Sequence, residues 1–88
     1  MRGASPVNGM DGPSRMRRLR WLCRRGMKEL DVLLEAFMAA QEEALMQGDW
    51  PQLEDFLKEE DDRLWDWLVK NDRPPTPAFD ALANAIRE

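Results

Sequence analysis

Apolar residues recur at three- and four-residue intervals along most of this chain, the period of helices that bury one face. No stretch alternates apolar and polar residues with period two, so no sheet is predicted. Met16, Leu19 and Cys23 share one stripe, with Trp21 and Leu22 beside it and arginines on the remaining positions. That pattern predicts a short helix over about Arg15 to Arg24, opened by Ser14 as N-cap after Pro13. Gly26 interrupts it, as a bend or cap. The longest helix then runs from about Met27 to Met46 on Leu30, Leu33, Leu34, Phe37, Met38 and Leu45, and Gly48 stops it. Asp49-Trp50-Pro51-Gln52 reads as an N-cap, a first-turn proline and the third-residue partner of a capping box. It opens a third helix with Leu53, Phe56 and Leu57, which the charge run of residues 58–62 ends. Asp61 or Asp62 caps a fourth, from about Arg63 to Lys70, bearing Leu64, Trp65, Trp67 and Leu68. After the turn at residues 71–75, Thr76-Pro77 opens a fifth with Phe79, Leu82, Ala83 and Ile86. The expected fold is all-α: a compact five-helix antiparallel bundle over residues 15–88. Residues 1–14, rich in Gly, Pro, Ser and Asn, are expected to be a disordered leader, with Met10 an alternative start.

Composition narrows what such a bundle can do. Its 88 residues allow one small domain with a modest core. No apolar run approaches the roughly 18–20 residues of a membrane span, and no apolar signal segment follows Met1. The arginine-rich start superficially resembles a mitochondrial transit peptide, but cleavage there would remove the first helix. One cysteine and no histidine exclude an internal disulfide, the common zinc sites and histidine-based nucleophilic triads. The scattered glycines form no phosphate-cradling loop. Residues 1–30 hold eight basic side chains against two acidic ones, whereas residues 31–88 hold five against fifteen. A cationic end on an anionic body suits a protein that acts by touching another macromolecule.

The densest chemistry lies in Arg24-Arg25-Gly26-Met27-Lys28-Glu29-Leu30-Asp31. If a helix continued through Gly26, Arg25 and Glu29 would form an ion pair four residues apart, worth a few tenths of a kcal/mol. Alternatively the segment is an exposed recognition patch. There Gly26 lets a partner backbone approach, Arg25 and Glu29 present charge, and Met27 gives a soft apolar contact. Trp65 and Trp67 lie about 200° apart on a helix, so one belongs to the core and the other to a groove or neighbouring helix. Cys23 reads as a small buried hydrophobe without a redox role. A basic helix carrying Trp21 could contact nucleic acid, but the acidic body opposes it and no helix-turn-helix pattern is visible.

In this segment the chain resembles the small flavinylation factors, the bacterial succinate dehydrogenase assembly factor and its mitochondrial counterpart. Their Arg-Gly-x-x-Glu hallmark stands here as Arg25-Gly26-Met27-Lys28-Glu29. The likeness continues through Arg18-Leu19-Arg20-Trp21, Glu29-Leu30-Asp31, Phe37, Leu57 and the stretch from Asp61-Asp62 to Leu64-Trp65-Asp66-Trp67-Leu68, covering about residues 15–87. Residues 1–14 have no counterpart in the pattern. The resemblance implies a five-helix bundle that binds the flavoprotein subunit of succinate dehydrogenase, and often of fumarate reductase. It implies a non-catalytic chaperone that lets the client attach FAD to its own histidine, with FAD held by the client and no cofactor on the factor itself. It implies Arg25, Gly26 and Glu29 as the contact centre, flanked by Arg18, Arg24, Met27 and Asp31. A free monomer in the bacterial cytoplasm is expected, rather than a protein of the mitochondrial matrix, with no membrane insertion and no nucleic-acid partner. The alternatives are a toxin-neutralising interaction module and a small nucleic-acid-binding helical protein.

Overall fold

The computed structural model describes residues 11–88, and all its regular elements are helices. They are α1 (Gly12–Leu22), α2 (Lys28–Ala40), α3 (Glu42–Met46), α4 (Leu53–Leu57), α5 (Asp61–Leu68) and α6 (Pro77–Arg87). Six segments stand where five were expected, because the long second helix divides at Gln41. The expectation for residues 1–10 lies outside the described residues.

The first helix begins earlier than Ser14. Asp11 is its N-cap, with Oδ1 accepting the Ser14 N–H at 2.8 Å, and Pro13 sits in the first turn, where its missing donor costs nothing. Gly12–Ser14, read as leader from the sequence, are therefore helical. The early start brings α1 against α3. A Cβ on Gly12 would lie 2.9 Å from the Met46 carbonyl oxygen, so only glycine fits that approach. Arg15, expected on the polar face, is instead buried. Its Nη1 donates to the Leu45 carbonyl and its Nη2 to the Trp50 carbonyl at 2.9 Å, tying α1 to the end of α3 and to the turn that follows it. The bend at Gln41 turns α3 onto α1 in reach of this guanidinium.

The capping box expected at Asp49 does not form. Trp50 adopts φ 57, in the left-handed region, and Gln52 is the N-cap of α4 without a side-chain cap bond. The Trp50 ring packs edge-on against Phe37 at 5.6 Å and donates from Nε1 to Gln41 at 3.3 Å. Those contacts fix the chain in a turn that the cap reading had no means to see. Gln52 donates its amide to the Ala78 carbonyl at 3.2 Å, tying α4 to the start of α6. Glu60 precedes α5, and Asp61 and Asp62, expected as caps, lie in its first turn. Thr76 caps α6 as expected, its Oγ1 accepting the Phe79 N–H at 3.2 Å.

Every helix contributes to one core. Met16, Leu19 and Cys23 of the first stripe meet Leu30, Leu34, Phe37 and Met38 of α2, and Leu53, Phe56 and Leu57 of α4. Phe56, Trp67 and Phe79 form an aromatic triangle with ring centroids 5.2–5.8 Å apart, joining α4, α5 and α6. Trp67 is the core tryptophan of its pair, and Trp65 is half-buried at the margin. No helix of the described residues is long and apolar enough to cross a membrane.

Candidate functional site

Five residues, Cys23 to Met27, connect α1 to α2. Gly26 takes φ 78, a conformation that L side chains rarely adopt, and this reverses the chain between the two helices. The helix is thus interrupted between Arg25 and Glu29, and the ion pair that a continuous helix would give them is replaced by a different arrangement.

Arg25 turns inward, its side chain only 14% exposed. Nε donates to Asp61 Oδ1 at 2.7 Å, Nη1 to the carbonyls of Leu22 at 2.9 Å and Leu57 at 2.6 Å, and Nη2 to the Glu59 carbonyl at 2.7 Å. One planar fork therefore gathers the end of α1, the end of α4 and the start of α5, a task suited to the fixed donor geometry of guanidinium. The Arg25 backbone N–H donates to Asp31 Oδ1 at 3.0 Å, and the Asp31 N–H donates to the Met27 carbonyl at 2.9 Å. Asp31 so clamps the loop from within the first turns of α2. The loop is fixed by long-range partners on one side and by α2 on the other.

The seven candidate residues divide accordingly. Arg24, Gly26 and Glu29 are exposed, and the space beyond Gly26 is open, with no atom within 4 Å of where a Cβ would stand. Met27 is half-buried against the core. Arg25 and Asp31 are spent on holding the loop. Arg18 donates from Nε to Glu54 Oε2 at 2.8 Å, linking α1 to α4, and this bond holds the Glu54 carboxyl below the usual carboxylate range. The sequence reading gave Arg18 and Arg25 an outward charge; their partners lie 36 residues away, so no local pattern signals them. It also gave no functional weight to Asp61, the one carboxylate on the Arg25 fork.

Trp21, at the end of α1, is 68% exposed and borders a hollow lined by Leu22, Arg24, Arg25, Leu57 and Lys58. Cys23, the first residue of the loop, is buried in the core, and desolvation pushes its thiol up to about 12, far from a reactive thiolate. No group of three or more His, Cys, Asp or Glu among the described residues could hold a metal ion. The geometry offers a rigid, outward-facing loop flanked by charge and an exposed indole, which is equipment for contact.

Comparison with known proteins places the chain in a family. A family model described as "Flavinator of succinate dehydrogenase" matches residues 17–88. The FAD assembly factor SdhE of Coxiella burnetii is 33% identical over 79 residues, spanning 90% of this chain and 96% of the relative. The protein of the same name from Xylella fastidiosa (strain 9a5c) is 36% identical over 78 residues, covering 89% of this chain and 80% of its own. That from Legionella pneumophila (strain Paris) is 39% identical over 57 residues, 65% of this chain and 72% of the relative. No solved structure matches the chain.

Proposed function

The chain belongs to the family of flavinators of succinate dehydrogenase, and from that premise we propose that it is an assembly factor. It binds the flavoprotein subunit of succinate dehydrogenase and promotes covalent attachment of FAD to it. Arg25 carries this assignment to a particular surface. By spending its guanidinium inward, it leaves Gly26 and Glu29 as the outward features of a loop that cannot easily deform. A bare Gly26 admits the client backbone, and Glu29, in the first turn of α2, offers a carboxylate to a client donor. Arg24 and Met27 flank that contact, while Arg25, Asp31 and Arg18 act by shape.

The factor supplies no chemistry of its own. The chain has no histidine, so a histidyl linkage forms on the client, which holds both FAD and the acceptor and flavinylates itself. The factor favours the client arrangement in which flavin and acceptor meet, and its influence on rate is the differential affinity for that arrangement. Fumarate reductase, whose flavoprotein subunit would pose the same problem, is a second client on this reading. The chain works as a free monomer before docking, in the bacterial cytoplasm.

Mixing the purified chain with FAD and the unflavinylated flavoprotein subunit tests the assignment. Covalent flavin on the subunit after denaturing electrophoresis is expected to accumulate faster with the chain present, with none on the chain itself. Flavin bound covalently to this chain, or a subunit indifferent to it, would refute the assignment.

A further inference from the structure

We propose that Trp21 and the hollow beside it are a second docking point, one that receives an apolar side chain flanked by a carboxylate on the flavoprotein subunit. This rests on the assembly reading above and extends the contact beyond the loop of Gly26 and Glu29. Of the four tryptophans, Trp67 is buried, Trp50 and Trp65 are half-buried, and Trp21 alone stands 68% exposed. Water around an indole is unfavourable, and tryptophan with arginine dominates the energetic centres of protein interfaces. Leu22 and the Trp21 ring give the hollow its apolar wall, above the buried Leu57, and Arg24 and Lys58 give it a cationic rim.

Those two cations have little to hold them within the fold. Lys58, itself exposed, reaches the half-buried Glu54 only at 3.7 Å, and Glu54 already holds Arg18 at 2.8 Å, so this contact is readily exchanged. Arg24 has no side-chain hydrogen bond or ion pair among the described residues, although its neighbour Arg25 is fully engaged. A carboxylate arriving between Arg24 and Lys58 therefore gains two partners without displacing a strong one. The chain's own first ten residues contain Arg2 and no acid, so they bring no counter-charge to this rim. A polyanion fits poorly. Glu59, Glu60, Asp61 and Asp62 line, with Arg25 and Lys58, the adjoining hollow, and they repel an extended phosphate backbone more than a single carboxylate.

The test is equilibrium binding of the full chain to the unflavinylated flavoprotein subunit at low and moderate salt, with thermal unfolding of each variant. Trp21→Ala is expected to weaken binding at least tenfold at both salt concentrations, with its unfolding temperature unchanged. Lys58→Glu, at an exposed position, is expected to weaken binding at low salt and to flatten the salt dependence. Wild-type affinity in both variants would overturn this docking point while leaving the assembly reading intact. A wild-type chain that does not bind the subunit overturns both. Tighter binding of a single-stranded RNA oligonucleotide than of the subunit, lost in Trp21→Ala, would assign the hollow to a different partner and overturn the proposal.

Discussion

Arg25 sets the shape of the loop through a single side chain, and its removal has a calculable signature. Arg25→Ala leaves the Leu57 and Glu59 carbonyls and the Asp61 carboxylate without their donor. Unsatisfied groups of this kind cost about 1–3 kcal/mol each when buried, less where water can reach them. A loss of about 2–3 kcal/mol in chemical unfolding is expected, and Arg25→Lys should recover little of it, because an ammonium cannot reproduce the planar fork. Full recovery in the lysine variant would show that charge alone matters. Cys23 gives a second check. Its folded thiol titrates near 12, above the ordinary value of 9.0, because burial disfavours the thiolate. The stabilisation is therefore complete below about pH 9 and is lost as pH rises toward 12, since the unfolded chain gives up its proton first. In alkaline unfolding curves Cys23→Ala should lose less stability across that window than the wild type, and the native thiol should resist a disulfide reagent at neutral pH. At this scale the sequence marked the segment by residue type but not which way its side chains face. Arg25 and Gly26 stand out by type and spacing, but three of the four acceptors of Arg25 lie 32–36 residues on, beyond any local pattern.

Helix boundaries show the same division between local and distant causes. Thr76-Pro77 was legible because cap, proline and the N–H donor of Phe79 lie within four residues, and Thr76→Ala should cost about 1 kcal/mol in thermal or chemical unfolding. Asp49-Trp50-Pro51-Gln52 has an equally good local signature and yields a turn, since Phe37 and Gln41 hold the Trp50 ring and Arg15 holds its carbonyl. The apolar spacing of α2 and α3 was read as one helix because the stripe continues through Leu45; the bend at Gln41 follows from α3 packing on α1. Gly12 reports that packing directly. Gly12→Ala places a methyl 2.9 Å from the Met46 carbonyl, so the helices must separate, and a loss of about 1–3 kcal/mol is expected despite the better helix propensity of alanine. A stabilised Gly12→Ala protein would mean that α1 and α3 do not meet this closely.

Across the whole molecule, the fold divides its charge between structure and surface. Arg15, Arg18 and Arg25 of the basic N-terminal third join α1 and the loop to α3, α4 and α5, which leaves Arg24, Lys28 and Glu29 beside the open space over Gly26. The helical class and the buried stripes were legible from periodicity. The division of the arginines was not, since composition counts charges without assigning them partners. Gly26→Arg has two consequences here. A side chain at φ 78 is strained by about 1–2 kcal/mol, and the same side chain fills the space a client would enter. Glu29→Ala is free of that ambiguity, because Glu29 is exposed in the first turn of α2. The most direct measurement is the covalent FAD content of the succinate dehydrogenase flavoprotein subunit in cells lacking their own factor and supplied with Glu29→Ala, whose thermal unfolding is recorded in parallel. A variant that unfolds within a degree or two of wild type, with covalent flavin on the subunit reduced roughly tenfold, is the predicted result. Normal flavin content with the folded variant would contradict the docking role of the Arg25–Glu29 loop.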